Sequence, residues 1–284
     1  MTPTVAATVT SLATALAEAE STTVFVQTAK DALADTRTHL QASLAKDVAI
    51  EVLIGQYREV IDTLVRAAWQ RHMPANAGMA LVATGGYGRG ELSPGSDLDI
   101  LILHNGKIAE EKLKAVVNDL LYPLWDRNSV DHSVRTRSQT RDAAASDLRV
   151  ATGLLDIRFI AGNANLVSAV QADSLDFWRR EAQRNLPELK KTLSARHDRA
   201  GELAYLLEPD LKEARGGLRD VQALRAIAVS GAIGVPLEKI SWAESTLSNV
   251  REALHTASGR GKDRLLFQEQ DKVAQILNYK DADA

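Results

Sequence analysis

Gly85 to Leu103 reads GGYGRGELSPGSDLDILIL: a glycine pair and a short polar stretch lead into Ser96-Asp97-Leu98-Asp99 and then a run of isoleucine and leucine. If that run is a strand, its side chains alternate between faces and Asp97 and Asp99 share one, with α-carbons about 7 Å apart. Two carboxylates on one face of a buried strand repel each other and lose hydration, a cost that a divalent cation between them offsets. The glycines beside them let backbone N–H groups come close to a phosphate. Metal-binding carboxylates next to a phosphate cradle point to nucleotidyl or phosphoryl transfer.

Two other phosphate-binding patterns do not fit. No Lys-Ser or Lys-Thr follows the glycines, so the segment is not a Walker A loop. Glycines at 86, 88 and 90 miss the dinucleotide spacing, and strand-like sequence follows where that motif needs a helix. A hairpin turn with two loop-capping aspartates is the plain alternative. It would also have to account for Gly85, Gly86, Arg89, Glu91, Pro94 and Ser96 at their places.

Nucleotidyl transfer needs a metal to hold the triphosphate as pyrophosphate leaves, and a second metal can activate the attacking hydroxyl. Two aspartates seldom complete such a site, so a third carboxylate is expected from a neighbouring strand. Asp131, within Val130-Asp131-His132-Ser133-Val134, is the candidate; a water-facing residue at a strand end is the alternative. Asp97, Asp99 and Asp131 are therefore the expected catalytic and metal-binding set for Mg²⁺, with Mn²⁺ able to substitute. Gly85 and Gly86 are expected to approach the β- and γ-phosphates, and Ser96 to donate its hydroxyl to a phosphate oxygen. Arg89 suits bidentate phosphate recognition, or else a buried salt bridge to Glu91. His132 reads as a hydrogen-bonded strand residue, and Arg135 and Arg137 as triphosphate contacts or solvated charges.

Farther along, Gly216-Gly217 open a predicted helix whose N-terminus suits an anion, with Arg219 and Asp220 in its first turn. A simple interhelical turn is the alternative there. Glu208, Asp210 and Lys212 are further candidates. The dipeptide His197-Asp198 lies in a basic helical stretch and reads as a surface pair.

The positioning elements follow from periodicity and breakers. Residues 1 to about 20 predict a short helix or an unstructured lead. From Thr22 to Arg71 apolar residues recur at helical steps through Val48, Val52, Ile61, Leu64 and Trp69, with a break expected at Gly55. His72 to Gly78 reads as a loop, Met79 to Thr84 as a first strand, and Asp97 to Leu103 as a second, after a glycine loop. Ala109 to Trp125 has helical spacing, and Ser129 to Arg135 reads as a third strand. From Gln139 onward the pattern is helical, with breaks at Gly162-Asn163, Pro187, Glu208-Pro209, Gly216-Gly217 and Gly231 to Pro236. The expectation is an α+β chain in three parts: an N-terminal helical region (1–75), a small catalytic domain with a mixed sheet (76–145) and a helical bundle (146–284).

Composition excludes several classes. The 284 residues are 45% hydrophobic and 25% charged, as in ordinary globular proteins, and the net charge of −3 argues against general nucleic-acid binding. There are no cysteines, so disulfides, thiolate zinc sites and cysteine nucleophiles are excluded. No apolar run reaches membrane-spanning length and the start lacks a signal peptide's charge, so a cytoplasmic protein without membrane contact is expected.

GG-x-GR-x-EL-x-P-x-SD-x-D resembles the signature of the bacterial PII uridylyltransferases, members of the DNA polymerase β-like nucleotidyltransferase superfamily. Leu121 to Thr136 (LYPLWDRNSVDHSVRT), Leu154 to Asn163 (LLDIRFIAGN) and Leu207 to Arg225 (LEPDLKEARGGLRDVQALR) resemble three further blocks of that family, in order. Many members carry glycine where Asp131 stands in VDHSVRT. The resemblance implies Mg²⁺-dependent transfer of a nucleoside monophosphate from an NTP to a tyrosine of a PII nitrogen-signalling protein. It implies UTP as the usual donor, or ATP, as in an actinobacterial branch that the VDHSVRT variant resembles. Full-length members continue into HD phosphohydrolase and ACT domains, so this chain is expected to be the synthetic half, adding nucleotide without hydrolysing it off and indifferent to glutamine. A small-molecule nucleotidyltransferase would leave the LEPDLKEARGGLRD block unexplained. A silent nucleotide sensor is the alternative from another class, although both Asp97 and Asp99 are present.

Overall fold

The computed structural model describes residues 5–44, 50–73, 78–92, 95–121, 130–259 and 261–281. The chain divides into two compact units: residues 1–142 with 156–171, and residues 143–155 with 172–284.

The first unit opens with α1 (Val5–Ala17), α2 (Thr22–Leu44) and α3 (Ile50–His72), which pack on one another. Leu53, Tyr57, Val60, Ile61, Leu64, Val65 and Ala68 recur at three- and four-residue steps on α3 and are buried. That stripe carries the helix straight through Gly55, where a break was expected. A helix-interior glycine costs only about 1 kcal/mol, and packing outweighs it. The residues between α2 and α3, 45–49, lie outside the described residues, as do 74–77 of the expected loop.

A four-stranded mixed sheet follows, in the order β3-β2-β1-β4. β1 (Met79–Ala83) and β2 (Leu98–His104) are antiparallel, and β2 pairs in parallel with β3 (Val130–Thr136). A parallel pair needs a crossover, and α5 (Glu110–Leu121) lies in it. Residues 122–129, including the expected helix end at Trp125 and strand start at Ser129, lie outside the described residues. Between β1 and β2 the expected glycine loop is instead a single helical turn, α4 (Gly85–Arg89), closed by Gly90 in the left-handed conformation. The fourth strand, β4 (Arg158–Gly162), falls where only helix was expected and pairs antiparallel with β1. Its run Arg158-Phe159-Ile160-Ala161, stopped by Gly162-Asn163, is too short to show a period, and its partner lies some eighty residues upstream.

The second unit is helical. Across the unit boundaries run α6 (Arg137–Ser146) and α8 (Ala164–Arg180), and α7 (Leu148–Gly153) lies between them in sequence; α9 (Ala182–Ala200), α10 (Leu218–Ser230), α11 (Leu237–Ser258) and α12 (Phe267–Ile276) follow. Leu211, Ala253, Leu254 and Val273 form a buried cluster, and the indole N–H of buried Trp178 donates to the Ala226 carbonyl at 2.8 Å. Pro187, expected as a break, lies inside α9. The α+β expectation holds: a mixed sheet is followed by a helical region. No helix among the described residues is long and apolar enough to cross a membrane.

Candidate active site

The register of β2 and β3 brings the expected acids to one place. Asp99 is the direct partner of Asp131. Registered residues on neighbouring strands, about 4.8 Å apart, carry their side chains on the same face. Asp99 is half-buried and Asp131 exposed. Asp97 sits just before β2, outside the strand in which it was expected, and is exposed; Ser96, half-buried, precedes it. Pro94 lies outside the described residues. Three carboxylates thus lie at the beginnings of β2 and β3, a donor set of hard oxygens of the kind that Mg²⁺ and Mn²⁺ take. Among the described residues, however, no three such side chains are gathered as a ready-made metal cluster. The fit is one of donor type and position along the chain.

The turn of α4 lies against this face. Gly85 has φ +56°, and a Cβ built there would stand 2.3 Å from Asp99 Oδ2. Only glycine lets the backbone lie so close to the carboxylate. The Asp99 carbonyl also accepts the Thr84 N–H at 3.0 Å, tying the entry of α4 to β2. Among the described residues, the N–H groups of Gly85 and Gly86 are not donated to backbone carbonyls.

Arg89, expected as a phosphate ligand or as a salt-bridge partner of Glu91, is engaged by carboxylates in this structure. Its Nε donates to Glu91 at 2.8 Å and its Nη1 to Asp156 at 3.0 Å, and its side chain is 11% exposed. Burial alone would lower the guanidinium's pKa, but the two carboxylates raise it above its ordinary value and hold the charge. The salt-bridge alternative is therefore the one found, extended to a second acid that the sequence did not suggest.

Gly216, Gly217 and Arg219, expected to bind an anion, belong to the second unit, and there their donors meet partners within the chain. The Gly216 N–H donates to Asp220 Oδ2 at 2.6 Å, Gly217 to Ala214, Leu218 to Leu211 and Arg219 to Lys212. The helix's own first-turn acid and nearby carbonyls take the donors that were assigned to a ligand. A Cβ at Gly217 would meet the carbonyls of Leu211, Ala214 and Lys212 at 2.8, 2.9 and 3.1 Å, so glycine is needed here for close packing. The Arg219 guanidinium pairs with Glu213. Asp220 is also held by Arg196 and by His197 at 2.9 Å. Its burial would raise the carboxyl's pKa, yet these donors bring it below the ordinary value. His197 is thus a structural partner of Asp220 rather than a surface residue, while Asp198 is exposed. Glu208 accepts from Arg264 and the Phe267 N–H, Asp210 caps the N–H groups of Lys212 and Glu213, and Lys212 faces Asp263 at 3.9 Å.

Comparison with known proteins agrees with the geometry of both units. A nucleotidyltransferase-domain model matches residues 65–128, and the GlnD PII-uridylyltransferase model matches residues 180–230 and 236–284. A bifunctional uridylyltransferase/uridylyl-removing enzyme of Streptomyces coelicolor is 50% identical over 222 residues, covering 78% of this chain and 26% of that protein. The enzymes of the same name from Mycobacterium tuberculosis and Azotobacter vinelandii are 40% and 36% identical, covering 84% and 90% of this chain and 32% and 30% of theirs. The chain thus spans a third or less of the length of these relatives.

Proposed function

Since the chain belongs to the PII-uridylyltransferase family, we propose that it transfers a nucleoside monophosphate from an NTP to a tyrosine hydroxyl of a PII-type protein. UMP is the group that the relatives' name carries, with AMP as the alternative. The observation that carries this reading is the register pairing of Asp99 with Asp131 on parallel strands, with Gly85 against the Asp99 carboxylate. Asp97 and Asp99, with Asp131 as third ligand, are the residues that would hold Mg²⁺, which when bound supplies neutralisation of the triphosphate's charge. The backbone of Gly85 and Gly86 lies where it can meet the phosphates, and Ser96 is placed to donate to one of their oxygens.

In this reaction the tyrosine oxygen bonds to the α-phosphorus as the bond to the bridging oxygen breaks, and that electron pair leaves with pyrophosphate. Asp131 takes the hydroxyl proton. Asp97 and Asp99 serve by holding the cation, since bare carboxylates would repel the triphosphate. Arg89, paired with Glu91 and Asp156, shapes the turn.

The test is turnover of labelled UTP or ATP by the purified chain with Mg²⁺ and a PII-type protein. Labelled acceptor and pyrophosphate are expected, and loss of both in Asp97→Asn with the fold intact. Absence of transfer from either nucleotide by folded protein, or substantial activity in Asp97→Asn at saturating Mg²⁺, would overturn the proposal.

A further inference from the structure

Tyr87 stands in the middle of the glycine turn, and the phosphate reading gives it no task. Its side chain is fully buried, and its hydroxyl donates to Asp62 Oδ1 at 2.7 Å. Asp62 lies on α3, twenty-five residues upstream, and is 2% exposed. A buried carboxylate needs compensating donors. It receives Arg158 Nη1 at 2.7 Å and Arg158 Nη2 at 3.1 Å, with Arg66 at 3.4 Å as a looser third partner. Arg158, the first residue of β4, also donates to the Tyr87 carbonyl at 3.2 Å and lies over the Tyr87 ring, 5.2 Å from its centre. One buried acid therefore fixes both the side chain and the backbone of the turn's central residue.

The same stretch of chain closes the turn from another side. A Cβ on Gly88 would stand 2.2 Å from the Asp156 carbonyl oxygen, so the two backbones are in direct contact. The Asp156 carboxylate holds Arg89. The turn is gripped between α3 and residues 156–158, while its first residue, Gly85, rests against the Asp99 carboxylate.

We propose that Asp62, acting through Tyr87 and Arg158, is a positioning residue for nucleotidyl transfer: it sets the place of the Gly85–Arg89 turn against the Asp99 carboxylate. This rests on the transfer reaction proposed above. Asp62 touches neither substrate nor reacting atoms. Its effect passes through a rigid turn, and a displacement of about 1 Å at a reacting centre is enough to cost on the order of a hundredfold in rate.

Tyr87→Phe removes only the hydroxyl and keeps the ring under Arg158, so it is the variant expected to stay folded. Asp62→Asn keeps the shape and removes the charge. Each is measured for kcat and for KM of the NTP at saturating acceptor and Mg²⁺, together with the melting temperature and amide hydrogen exchange at residues 85–90. The expected result is a loss of about tenfold or more in kcat/KM for both variants, with faster exchange confined to 85–90 in Tyr87→Phe. In the double variant the two effects should fall well short of multiplying, because they act through one contact. Lowered melting temperature with unchanged kcat, KM and exchange at 85–90 in folded protein would overturn the proposal and leave Asp62 a stability residue. Wild-type protein without transfer activity would instead count against the reaction itself, and the hydrogen-exchange comparison would still decide whether Asp62 fixes the turn.

Discussion

Gly85→Ala separates chemistry from stability at the carboxylate face. The added methyl group lies 2.3 Å from Asp99 Oδ2, whereas a carbon-to-oxygen contact needs about 3.3 Å. The mismatch of about 1 Å is relieved most cheaply by rotation of the Asp99 carboxylate, because the obstructing atom is the end of a side chain rather than backbone. The remaining cost is that of a left-handed backbone for alanine, on the order of 1 kcal/mol. Alanine's stiffer unfolded chain recovers part of this. A melting temperature about 2–4 °C lower is expected. The carboxylate, displaced by about 1 Å, should cost on the order of a hundredfold in kcat/KM for nucleotide transfer. The assay is labelled-nucleotide transfer to a PII-type protein across a Mg²⁺ series, paired with a thermal melt of the same sample. Wild-type kcat/KM in a folded Gly85→Ala protein would refute the placing of the reaction at Asp99.

Asp99→Asn should abolish transfer at saturating Mg²⁺ while leaving the melting temperature within a few degrees of the parent, since it removes charge and keeps shape; activity near wild type would remove Asp99 from the metal set. Asp131→Ala should lower kcat by orders of magnitude and alter nucleotide affinity little, as measured by single-turnover rates beside equilibrium binding. Equal losses in rate and affinity would make it a binding residue only. In the second unit, burial tends to raise the Asp263 pKa, but hydrogen bonds from His255 at 2.9 Å and Arg251 at 2.6 Å hold it well below the usual carboxylate range. Its folded pKa is depressed, so the stabilisation is complete above the unfolded value of about 3.9 and is lost as the pH falls toward the folded one. Asp263→Asn should therefore cost on the order of 3 kcal/mol at neutral pH and flatten the acid limb of urea stability below about pH 4; an acid limb parallel to that of wild type would show that the carboxylate is not the titrating group.

Local signals were legible in the sequence, and long-range ones were not. The runs read as strands at 79–84 and 97–103 lie within a residue of β1 and β2 because turn residues bound them, and Asp131 was singled out because a predicted neighbouring strand put an acid where a third ligand was wanted. β4 was not legible: five residues carry no period, and only pairing with β1 makes them a strand. Arg89 was read as a phosphate ligand because its second partner, Asp156, lies sixty-seven residues away. Asp62 was hidden for the same reason, as one polar residue in a helical pattern. The Gly216-Gly217 pair was ambiguous for a different reason. Two glycines before a helix look the same whether the exposed donors await a ligand or are met by the chain itself, and Asp220 four residues on was the clue to the second case.

The local bonds of this segment also bear on how the second unit assembles. From Asp210 to Asp220 one set of bonds runs between residues no more than seven apart: the Asp210 side chain to Lys212 and Glu213, Leu218 to Leu211, Arg219 to Lys212 and Gly216 to Asp220. Leu211 donating to Asp263, Arg215 to Gly201, and Arg196 and His197 on Asp220 tie the segment to distant chain. Loops of about ten residues close in about 10–100 ns, long before contacts between distant helices can be searched out. The knot can therefore form while the rest of the chain is still unfolded, offering α10 a ready starting turn and removing the slow first step of helix formation. Glycine at 217 then matters for the order of events, since a side chain among its three surrounding carbonyls would block closure. A folding seed at this segment predicts that Gly217→Ala slows refolding of the second unit more than it speeds its unfolding.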